Sequence, residues 1–261
     1  MPSTNQQTQL RLRVFAGPNG SGKSTVIKYV RKLKANGRPI DFGYYINADD
    51  IAAELRKGEF KFGQYDLIIK PKEFNEVAID SGLINDEFTN QDFKSSFSLR
   101  SNIIRLKKSS SDERMAQIVA DFLRKKLLES RKKFSFETVF SHSSKLEIMQ
   151  QAVEAGYKVY LYFVSTEAPE INKFRVKARK AKKGHDVPEE KIESRYYRSL
   201  DLLYDAAQLA YQVFFFDNSV EGKNSAMFAH FKIQRGKKEW DRINKKQVPE
   251  WFKKYYSSKV G

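Results

Sequence analysis

The sequence has no cysteine, and histidine occurs only three times. The absence of cysteine excludes disulfides, thiolate metal sites and a cysteine nucleophile. One of the histidines, His185, has no second histidine or acidic residue at metal-ligand spacing. We therefore expect His185 to serve in a turn or a lid rather than in a metal site.

Signals for secretion or membrane insertion are missing as well. The first residues, MPSTNQQ, are polar and lack the basic-then-apolar pattern of a signal peptide. No apolar run approaches the roughly 20 residues that a bilayer-spanning helix needs. We expect a cytoplasmic protein with no membrane partner.

What the sequence has in excess is positive charge. Lysine and arginine number 48 against 32 for aspartate and glutamate, so the formal net charge is +16. This balance favours anionic partners such as nucleotides, sugar phosphates, nucleic acid or an acidic protein, although solubility with loose polyanion affinity explains it equally well. With 261 residues, of which 40% are hydrophobic, the chain is long enough for one α/β domain with an insertion.

Strand-like and helix-like segments alternate along much of the chain. Short apolar runs predict strands at residues 10–16, 41–46, 134–139, 158–164 and 213–216. Apolar residues at helical spacing predict helices at 24–33, from 51 onward, and at 115–127, 144–155, 169–183 and 188–210. Such alternation predicts a three-layer α/β fold, in which helices cover both faces of a parallel sheet.

Three stretches have a distinct character inside the single domain expected for residues 1–261. Residues of about 58–111 are polar, weakly periodic and dotted with aromatics, so we interpret them as a partly helical insertion. Residues of about 170–197 are rich in arginine and lysine and are interpreted as a helical lid. Residues of about 223–261 form a basic, aromatic C-terminal tail.

The clearest motif is a glycine-rich loop between the first predicted strand and the first predicted helix. It fits the pattern G-x-x-x-x-G-K-[ST] with Gly17, Pro18, Asn19, Gly20, Ser21, Gly22, Lys23 and Ser24, followed by Thr25. Its glycines let backbone N–H groups turn towards phosphate oxygens, and the helix N-terminus adds its positive dipole end. Lys23 is expected to reach the β- and γ-phosphates, and the Ser24 hydroxyl to bind Mg²⁺. The motif predicts a P-loop NTPase fold that binds ATP and Mg²⁺.

A second acidic residue on the metal side is less sharply marked. Residues 213–217, VFFFD, have the apolar-strand-plus-aspartate form of a Walker B segment, with Asp217 as its acid. Short apolar runs before an aspartate also occur by chance, so both interpretations stay open.

Six segments resemble, in order, those of the zeta-toxin family of P-loop kinases, especially its chromosomal zeta-like group. They are AGPNGSGKST, INADDIA, FETVFS, GYKVYLYFV, RVKARKAKKGHDVPEEKIESRYYRSL and FDNS, and they cover roughly residues 10–58 and 112–219. Characterised members of that family are toxins that phosphorylate UDP-N-acetylglucosamine on a sugar hydroxyl and that are held by an antitoxin. The resemblance implies an ATP-dependent kinase with a nucleotide-sugar acceptor, and it makes an inhibitory protein partner plausible.

The resemblance also implies roles for acidic residues on the acceptor side. Asp49 takes the family's position for the base that accepts the proton of the acceptor hydroxyl, although an aspartate there could equally cap a helix. Glu137 and Thr138 follow a predicted strand, where they are expected to contact substrate hydroxyls or orient Mg²⁺. The toxins show E-G-T-x-R at this point, whereas this sequence reads ETVFS and lacks that arginine. Recognition of the substrate's charged part is therefore expected to differ.

Basic and polar residues complete the implied site. Arg175 and Arg179 are four positions apart on one predicted helix face, and Arg195 follows beyond the predicted turn. These arginines suit a lid that neutralises charge on the triphosphate, unless they belong to a solvated basic helix. Asp217 and Asn218 resemble the family's nucleotide-side loop, where polar atoms would contact adenine.

The segment of about 58–111 is not covered by the resemblance, and two interpretations of it stay open. It joins the Asp49 helix to the strand that bears Glu137, so it could shape the acceptor site and give this protein a substrate of its own. Alternatively, it is a loop elaboration that packs only on the outside.

Three classes of function remain at this point. The first is a small-molecule kinase, with a nucleotide sugar or another metabolite as acceptor. The second is a kinase of nucleic-acid ends, supported by the charge of +16 and by aromatics interleaved with lysines in residues 240–256. The third is a nucleotide-gated binding protein without catalysis. The basic tail could dock an acidic partner, or it could pack its two tryptophans, Trp240 and Trp251, onto the core.

Overall fold

The computed structural model describes residues 9–181, 187–220, 225–243 and 248–260, without the side chains of Ser109 and Arg242. Its strands are β1 (Arg11–Ala16), β2 (Lys34–Ala35), β3 (Arg38–Pro39), β4 (Tyr44–Ile46), β5 (Phe60–Lys61), β6 (Phe97–Arg100), β7 (Ile103–Leu106), β8 (Phe134–Thr138), β9 (Lys158–Ser165), β10 (Gln212–Asp217), β11 (Ala226–Gln234) and β12 (Lys237–Ile243).

The helices follow the same chain order. They are α1 (Lys23–Lys32), α2 (Ala48–Arg56), α3 (Pro71–Ile79), α4 (Asn90–Ser96), α5 (Asp112–Glu129), α6 (Ser144–Glu154), α7 (Pro169–Ala181), α8 (Glu189–Asp201), α9 (Leu203–Leu209) and α10 (Glu250–Tyr255). None of these described helices is both long enough and apolar enough to cross a bilayer.

The chain divides into two compact units. The first unit comprises Met1–Phe42 together with Glu137–Gly261, and the second comprises Gly43–Phe136. The division falls inside β8, because Glu137 and Thr138 at the end of this strand belong to the first unit. The segment of about 58–111 that the sequence marks as distinct lies within the second unit.

The first unit is built on a mostly parallel sheet. Strand β9 pairs in parallel with β1 on one side and with β10 on the other, whereas β11 and β12 extend the sheet in antiparallel fashion beyond β10. One face of these strands is fully buried, as Val14, Leu161 and Phe215 show. Helix α1 contacts β1, and helices α6 and α9 contact β9. The α/β fold predicted from the alternating pattern is confirmed, and the glycine-rich motif lies between β1 and α1 as predicted.

The opposite face of this sheet carries a row of stacked rings. Phe15 stacks on Tyr162 with ring centroids 4.6 Å apart, and Tyr162 stacks on Phe214 at the same separation. His230 continues the row at 4.3 Å from Phe214. Each neighbouring pair lies directly opposite in register on adjacent strands, so the row ties β1, β9, β10 and β11 together.

The segment predicted as a basic tail contains regular structure. Strands β11 and β12 form a hairpin on the edge of the sheet, and helix α10 follows. Trp251 is almost fully buried, and Trp240 lies 6.1 Å from the Phe215 ring and 5.0 Å from the Phe231 ring. Packing onto the core therefore explains both tryptophans. The aromatic rings of this segment that are buried are not available to stack on nucleic-acid bases.

The second unit has an aromatic core. Its strands form a parallel pair, β4 with β8, and a small antiparallel sheet in which β7 lies between β5 and β6. Phe62 and Phe74 are fully buried, and their rings lie 5.6 Å and 5.1 Å from the ring of Phe122 on α5. The segment of about 58–111 is therefore more than a surface elaboration, because it supplies much of this core.

Most of the predicted strands and helices are present, but several begin or end at other residues than predicted. The strand predicted at 41–46 begins at Tyr44, after Gly43, which adopts a φ of +58°. The helix predicted at 188–210 is two helices, since α8 ends at Asp201 and α9 begins at Leu203. The predicted turn with His185 lies outside the described residues.

Candidate functional site

The glycine-rich loop joins β1 to α1 and forms a tight cradle. Gly17 has a φ of +144°, and a Cβ on it would lie 2.0 Å from the carbonyl oxygen of Val164 on β9. Gly22 has a φ of +96°, and a Cβ on it would lie 2.2 Å from Nδ2 of Asn218. Only glycine fits at either position, because the backbone conformation and the space both exclude a side chain. The loop is thus held against the ends of β9 and β10.

Lys23 is the first residue of α1, and its ammonium group is buried in this loop. Its Nζ donates to the carbonyl oxygens of Gly17 at 2.9 Å and Pro18 at 3.0 Å. Oε1 of Glu137, at the end of β8, lies 3.9 Å from the same nitrogen. Two carbonyl dipoles and one carboxylate compensate the buried charge.

The N-terminus of α1 is open to an anion. Its cap residue, Gly22, makes no side-chain cap, and the first turn contains no acidic residue. Ser24 and Thr25 in that turn are exposed, so their hydroxyls are accessible. Together with the helix dipole, this arrangement suits a phosphate group.

Several buried polar atoms around the loop lack a hydrogen-bond partner in the protein. Within the described residues they include Asn19 Oδ1 and Ser21 Oγ in the loop and Ser225 Oγ beside it, while Nη1 of Arg175 on α7 also lacks such a partner. Ser225 Oγ lies near Gly22, at 3.5 Å from the position that a Cβ would take there. Buried polar groups without protein partners are costly, and water or a ligand completes them.

Two asparagines hold the loop from outside. Nδ2 of Asn172, on α7, donates to the carbonyl oxygen of Asn19 at 2.6 Å, and Nδ2 of Asn218 donates to that of Ser21 at 2.8 Å. Asn172 is fully buried and also accepts a hydrogen bond from the Thr166 hydroxyl. Asn172 was not predicted from the sequence. The one available signal was an asparagine in the first turn of the helix that follows the strand beside the P-loop.

Asp217 makes its hydrogen bonds within the protein. Its carboxylate accepts the Ser219 hydroxyl at 2.7 Å, the Ser219 N–H at 3.2 Å and the Trp251 indole N–H at 3.0 Å. Strand β9 lies between its strand, β10, and the P-loop strand β1. These contacts give no support to the Walker B interpretation. A nucleotide contact of Asp217 stays a prediction, whereas Asn218 reaches the P-loop backbone directly.

The three arginines of the predicted lid differ in environment. Arg175 on α7 is half-buried, and Arg195 on α8 is half-buried as well, while Arg179 is exposed. Burial lowers the pKa of Arg195, and the positive charge of Arg198 lowers it further. Helices α7 and α8 contact each other, so their arginines belong to one packed pair of helices. Their lid role stays a prediction.

The acceptor-side residues lie at the ends of their elements. Asp49 is exposed near the start of α2, but the cap of this helix is Asn47, whose Oδ1 accepts the Asp49 N–H at 2.8 Å. Capping therefore does not account for Asp49. The Thr138 hydroxyl accepts the N–H of Phe140 at 3.1 Å, which fixes the turn after β8. The substrate role of Glu137 and Thr138 stays a prediction.

Residues for a metal are sparse in the described part of the chain. No group of three or more histidine, cysteine, aspartate or glutamate side chains gathers there. Mg²⁺ in nucleotide sites is held largely by phosphate oxygens and water, with few protein ligands. The exposed Ser24 hydroxyl and the Glu137 carboxylate beside Lys23 are of the oxygen type that such a site uses.

A model of the AAA domain family, AAA_33, matches residues 12–198 of the sequence. The chain belongs to this AAA_33 family. The match begins within β1, includes the P-loop, Glu137 and the three arginines, and ends within α8. Strands β10 to β12 and helix α10 lie beyond it. No curated protein sequence matches the chain.

Several solved structures are similar to the AAA_33 chain at low identity. The structure of AvrRxo1-ORF1:-ORF2 with ATP is 16% identical over 89% of this chain, with a TM-score of 0.49, and this chain covers 61% of its length. The PezAT chromosomal toxin-antitoxin system of Streptococcus pneumoniae is 12% identical over 81% of this chain and 69% of its own, with a TM-score of 0.44. The Pnkp1/Rnl/Hen1 RNA repair complex is 15% identical over 76% of this chain and 46% of its own, with a TM-score of 0.38.

Proposed function

We propose that this AAA_33 protein is a kinase that binds ATP through residues 17–25 and transfers the γ-phosphate to a hydroxyl of a small molecule. The observation that carries the proposal is the cradle around Lys23, where a buried ammonium group faces an open helix N-terminus. Nearby buried polar atoms without partners support the binding of a ligand at the same place.

In the proposed reaction, the oxygen of the acceptor hydroxyl forms a bond to the γ-phosphorus. The bond from that phosphorus to the bridging oxygen breaks, and ADP leaves with its electron pair. Lys23 offsets the negative charge of the phosphates, and Arg175, Arg179 and Arg195 add positive charge from α7 and α8. The proton of the acceptor hydroxyl passes to the carboxylate of Asp49, which no capping role occupies.

Mg²⁺ fits the oxygen ligands that this site offers. The Ser24 hydroxyl would hold it together with phosphate oxygens, and Glu137 would orient its water ligands. When bound, Mg²⁺ would neutralise charge on the phosphates.

The acceptor that we propose is a nucleotide sugar such as UDP-N-acetylglucosamine. Support comes from the six zeta-toxin-like segments, with Glu137 and Thr138 as the residues that contact the sugar. Because the arginine of the toxin motif is missing here, we propose that the segment of about 58–111 shapes the acceptor site. A bound antitoxin or other inhibitory protein and a cytoplasmic location belong to the same proposal.

The experiment is a transfer assay with γ-labelled ATP and Mg²⁺ against nucleotide sugars, other metabolites and oligonucleotides. Asp49→Asn is the test variant and Asp50→Asn the matched control, because the two residues are adjacent and both exposed. We expect label on one class of small molecule, lost in Asp49→Asn and retained in Asp50→Asn. Label on no acceptor, with ATP hydrolysis equal in both variants, would contradict the proposal.

A second candidate is a kinase of nucleic-acid ends, favoured by the net charge of +16. Its expected signature in the same assay is label on oligonucleotides, with an affinity that falls steeply as salt rises. A third candidate, a nucleotide-gated binding protein, predicts ATP binding without labelling of any acceptor.

A further inference from the structure

The C-terminal helix α10, which lies outside the matched part of the family, is connected to the nucleotide cradle by a short series of hydrogen bonds. The first link is the indole N–H of Trp251, which donates to Oδ1 of Asp217 at 3.0 Å. The Trp251 side chain is only 3% exposed and lies between Phe163 and Phe228, with ring centroids at 5.9 Å and 5.6 Å. Its position is therefore defined by packing as well as by the hydrogen bond.

Glu167 fixes the start of the same helix. Its Oε1 accepts the N–H of Glu250 at 3.0 Å, and its Oε2 accepts the N–H of Trp251 at 3.3 Å. The N–H of Glu167 donates in turn to the Ser219 hydroxyl at 2.9 Å. Helix α10 is thus fastened to the ends of both β9 and β10.

The loop after β10 connects helix α10 to the P-loop. Asp217 binds Ser219 through both carboxylate oxygens, so Asn218 is enclosed in a tight turn between them. The N–H of Asn218 donates to the carbonyl oxygen of Ser165 at 2.9 Å, and its Nδ2 donates to that of Ser21 at 2.8 Å. The side chain of Asn218 also fills the space beside Gly22 that a Cβ would need.

The geometry points to Trp251 and Asp217 as positioning residues for the nucleotide site, acting through Asn218 on the P-loop. Helix α10 thereby becomes part of the nucleotide-binding machinery, although the family match ends before it. This inference rests on the nucleotide-binding part of the proposed function and is independent of the acceptor. By thermodynamic linkage, nucleotide binding and the docking of α10 favour each other.

The test measures binding of the β,γ-imido analogue of ATP by calorimetry in the full chain, which keeps transfer chemistry out of the readout. Trp251→Phe retains a large ring and removes the indole donor, whereas Trp240→Phe makes the same change in β12 as a control. We expect the dissociation constant to rise about three- to tenfold in Trp251→Phe, since a hydrogen bond to a charged group is lost. Trp240→Phe is expected to stay within about twofold of wild type.

Two further measurements distinguish a positioning role of Trp251 and Asp217 from a loss of folded protein. In Trp251→Phe the KM for ATP should rise while the KM for the acceptor is unchanged. Asp217→Asn should raise the dissociation constant of the nucleotide analogue by a similar factor. In the double variant this constant should rise by less than the product of the two single factors, because both substitutions break the same connection.

A measurement on the wild-type protein needs no variant at all. The nucleotide analogue should slow hydrogen exchange of the Glu250 and Trp251 amides, which Glu167 holds, by about fivefold or more. Unchanged exchange at these amides, or equal dissociation constants for Trp251→Phe and wild type, would overturn the inference. A wild-type protein that binds no ATP would instead overturn the proposed function, and the inference with it.

Discussion

The two units of the molecule use their side chains in different ways. In the first unit, side-chain amides and a lysine bind backbone carbonyls of the P-loop, so that polar contacts define the shape of a short loop. In the second unit, phenylalanine rings such as those of Phe62, Phe74 and Phe122 pack against one another. The first unit also has an aromatic core, in which Phe215 contacts Phe252 and Tyr256, so what distinguishes it is the polar-held loop, whose geometry suits binding. Substitutions at the P-loop and in the aromatic core of the second unit should therefore affect different assays.

The largest expected effect is on the stability of the second unit. Phe74→Ala removes a fully buried ring that contacts Phe62, Phe93, Phe97 and Phe122. We expect a loss of about 3–5 kcal/mol in the free energy of unfolding, as for other large-to-alanine changes in cores. Chemical denaturation followed by hydrogen exchange would measure the loss and locate it.

The control for that substitution is Phe174→Ala, because Phe174 is 58% exposed on α7. It should change the free energy of unfolding by less than about 0.5 kcal/mol. Under conditions where the Phe74→Ala variant is folded, this variant should bind ATP with the same affinity as the wild-type protein. A loss of ATP affinity in the folded Phe74→Ala variant would contradict the separation between binding at the P-loop and stability in the core of the second unit.

The next effect concerns catalysis in the first unit. Lys23→Met removes the ammonium group from the cradle, while Lys28→Met changes an exposed lysine on the same helix. We expect turnover of ATP to fall about 10²- to 10³-fold in Lys23→Met, the size of loss seen when one preorganised donor is removed. Steady-state kinetics would measure it. Equal turnover in the two variants would show that the cradle has no part in the chemistry.

The smallest expected effect concerns the N-terminal cap of α4 in the second unit. Thr89 caps α4 in a capping box with Asp92, so Thr89→Ala should lower the free energy of unfolding by about 1 kcal/mol, whereas Thr89→Ser should retain most of it. Hydrogen bonds from the Thr89 hydroxyl and backbone N–H lower the pKa of Asp92. The pKa is thus lower in the folded protein than in the unfolded chain.

The sign of the pH dependence follows from that direction. The contribution of Asp92 to stability is complete above its unfolded pKa of about 3.9 and is lost as the pH falls through the folded pKa. The difference between the Thr89→Ala variant and wild type should therefore shrink in acid. Denaturation curves at neutral and acidic pH would measure this change, and a difference that grows in acid would contradict the assignment.

The parts of the fold that the sequence predicted are those with strong local patterns. Strand β1, the P-loop and α1 follow one another in a motif whose glycines are each required by the backbone, and β9 is a continuous apolar run. The part of the second unit's core that the segment of about 58–111 supplies was not predicted, because several of its rings, such as those of Phe60 and Phe93, come from a two-residue strand and a short helix with no period to detect. Strand β12 was missed because an edge strand carries charged residues, and KKEWDRI therefore has the composition of a polar tail.

The residues of the candidate site also divide into those that a local motif predicts and those that depend on distant contacts. Lys23 and the cradle were predicted because the motif specifies them completely. Asn172 was not, because its role depends on a contact between α7 and the P-loop that the sequence does not display. Asp217 was a candidate metal ligand because it follows an apolar strand, and a candidate nucleotide ligand because of the family resemblance, but its partner Trp251 comes from a helix 34 positions further along the chain.

The most direct test of the central claim, phosphate transfer, compares two products in one reaction. ADP and free phosphate would be measured together while ATP, Mg²⁺ and each class of acceptor are supplied in turn. The account predicts that one small-molecule class makes ADP exceed free phosphate, with the difference recovered on the acceptor. Equal amounts of ADP and free phosphate with every acceptor would contradict it and leave an ATPase.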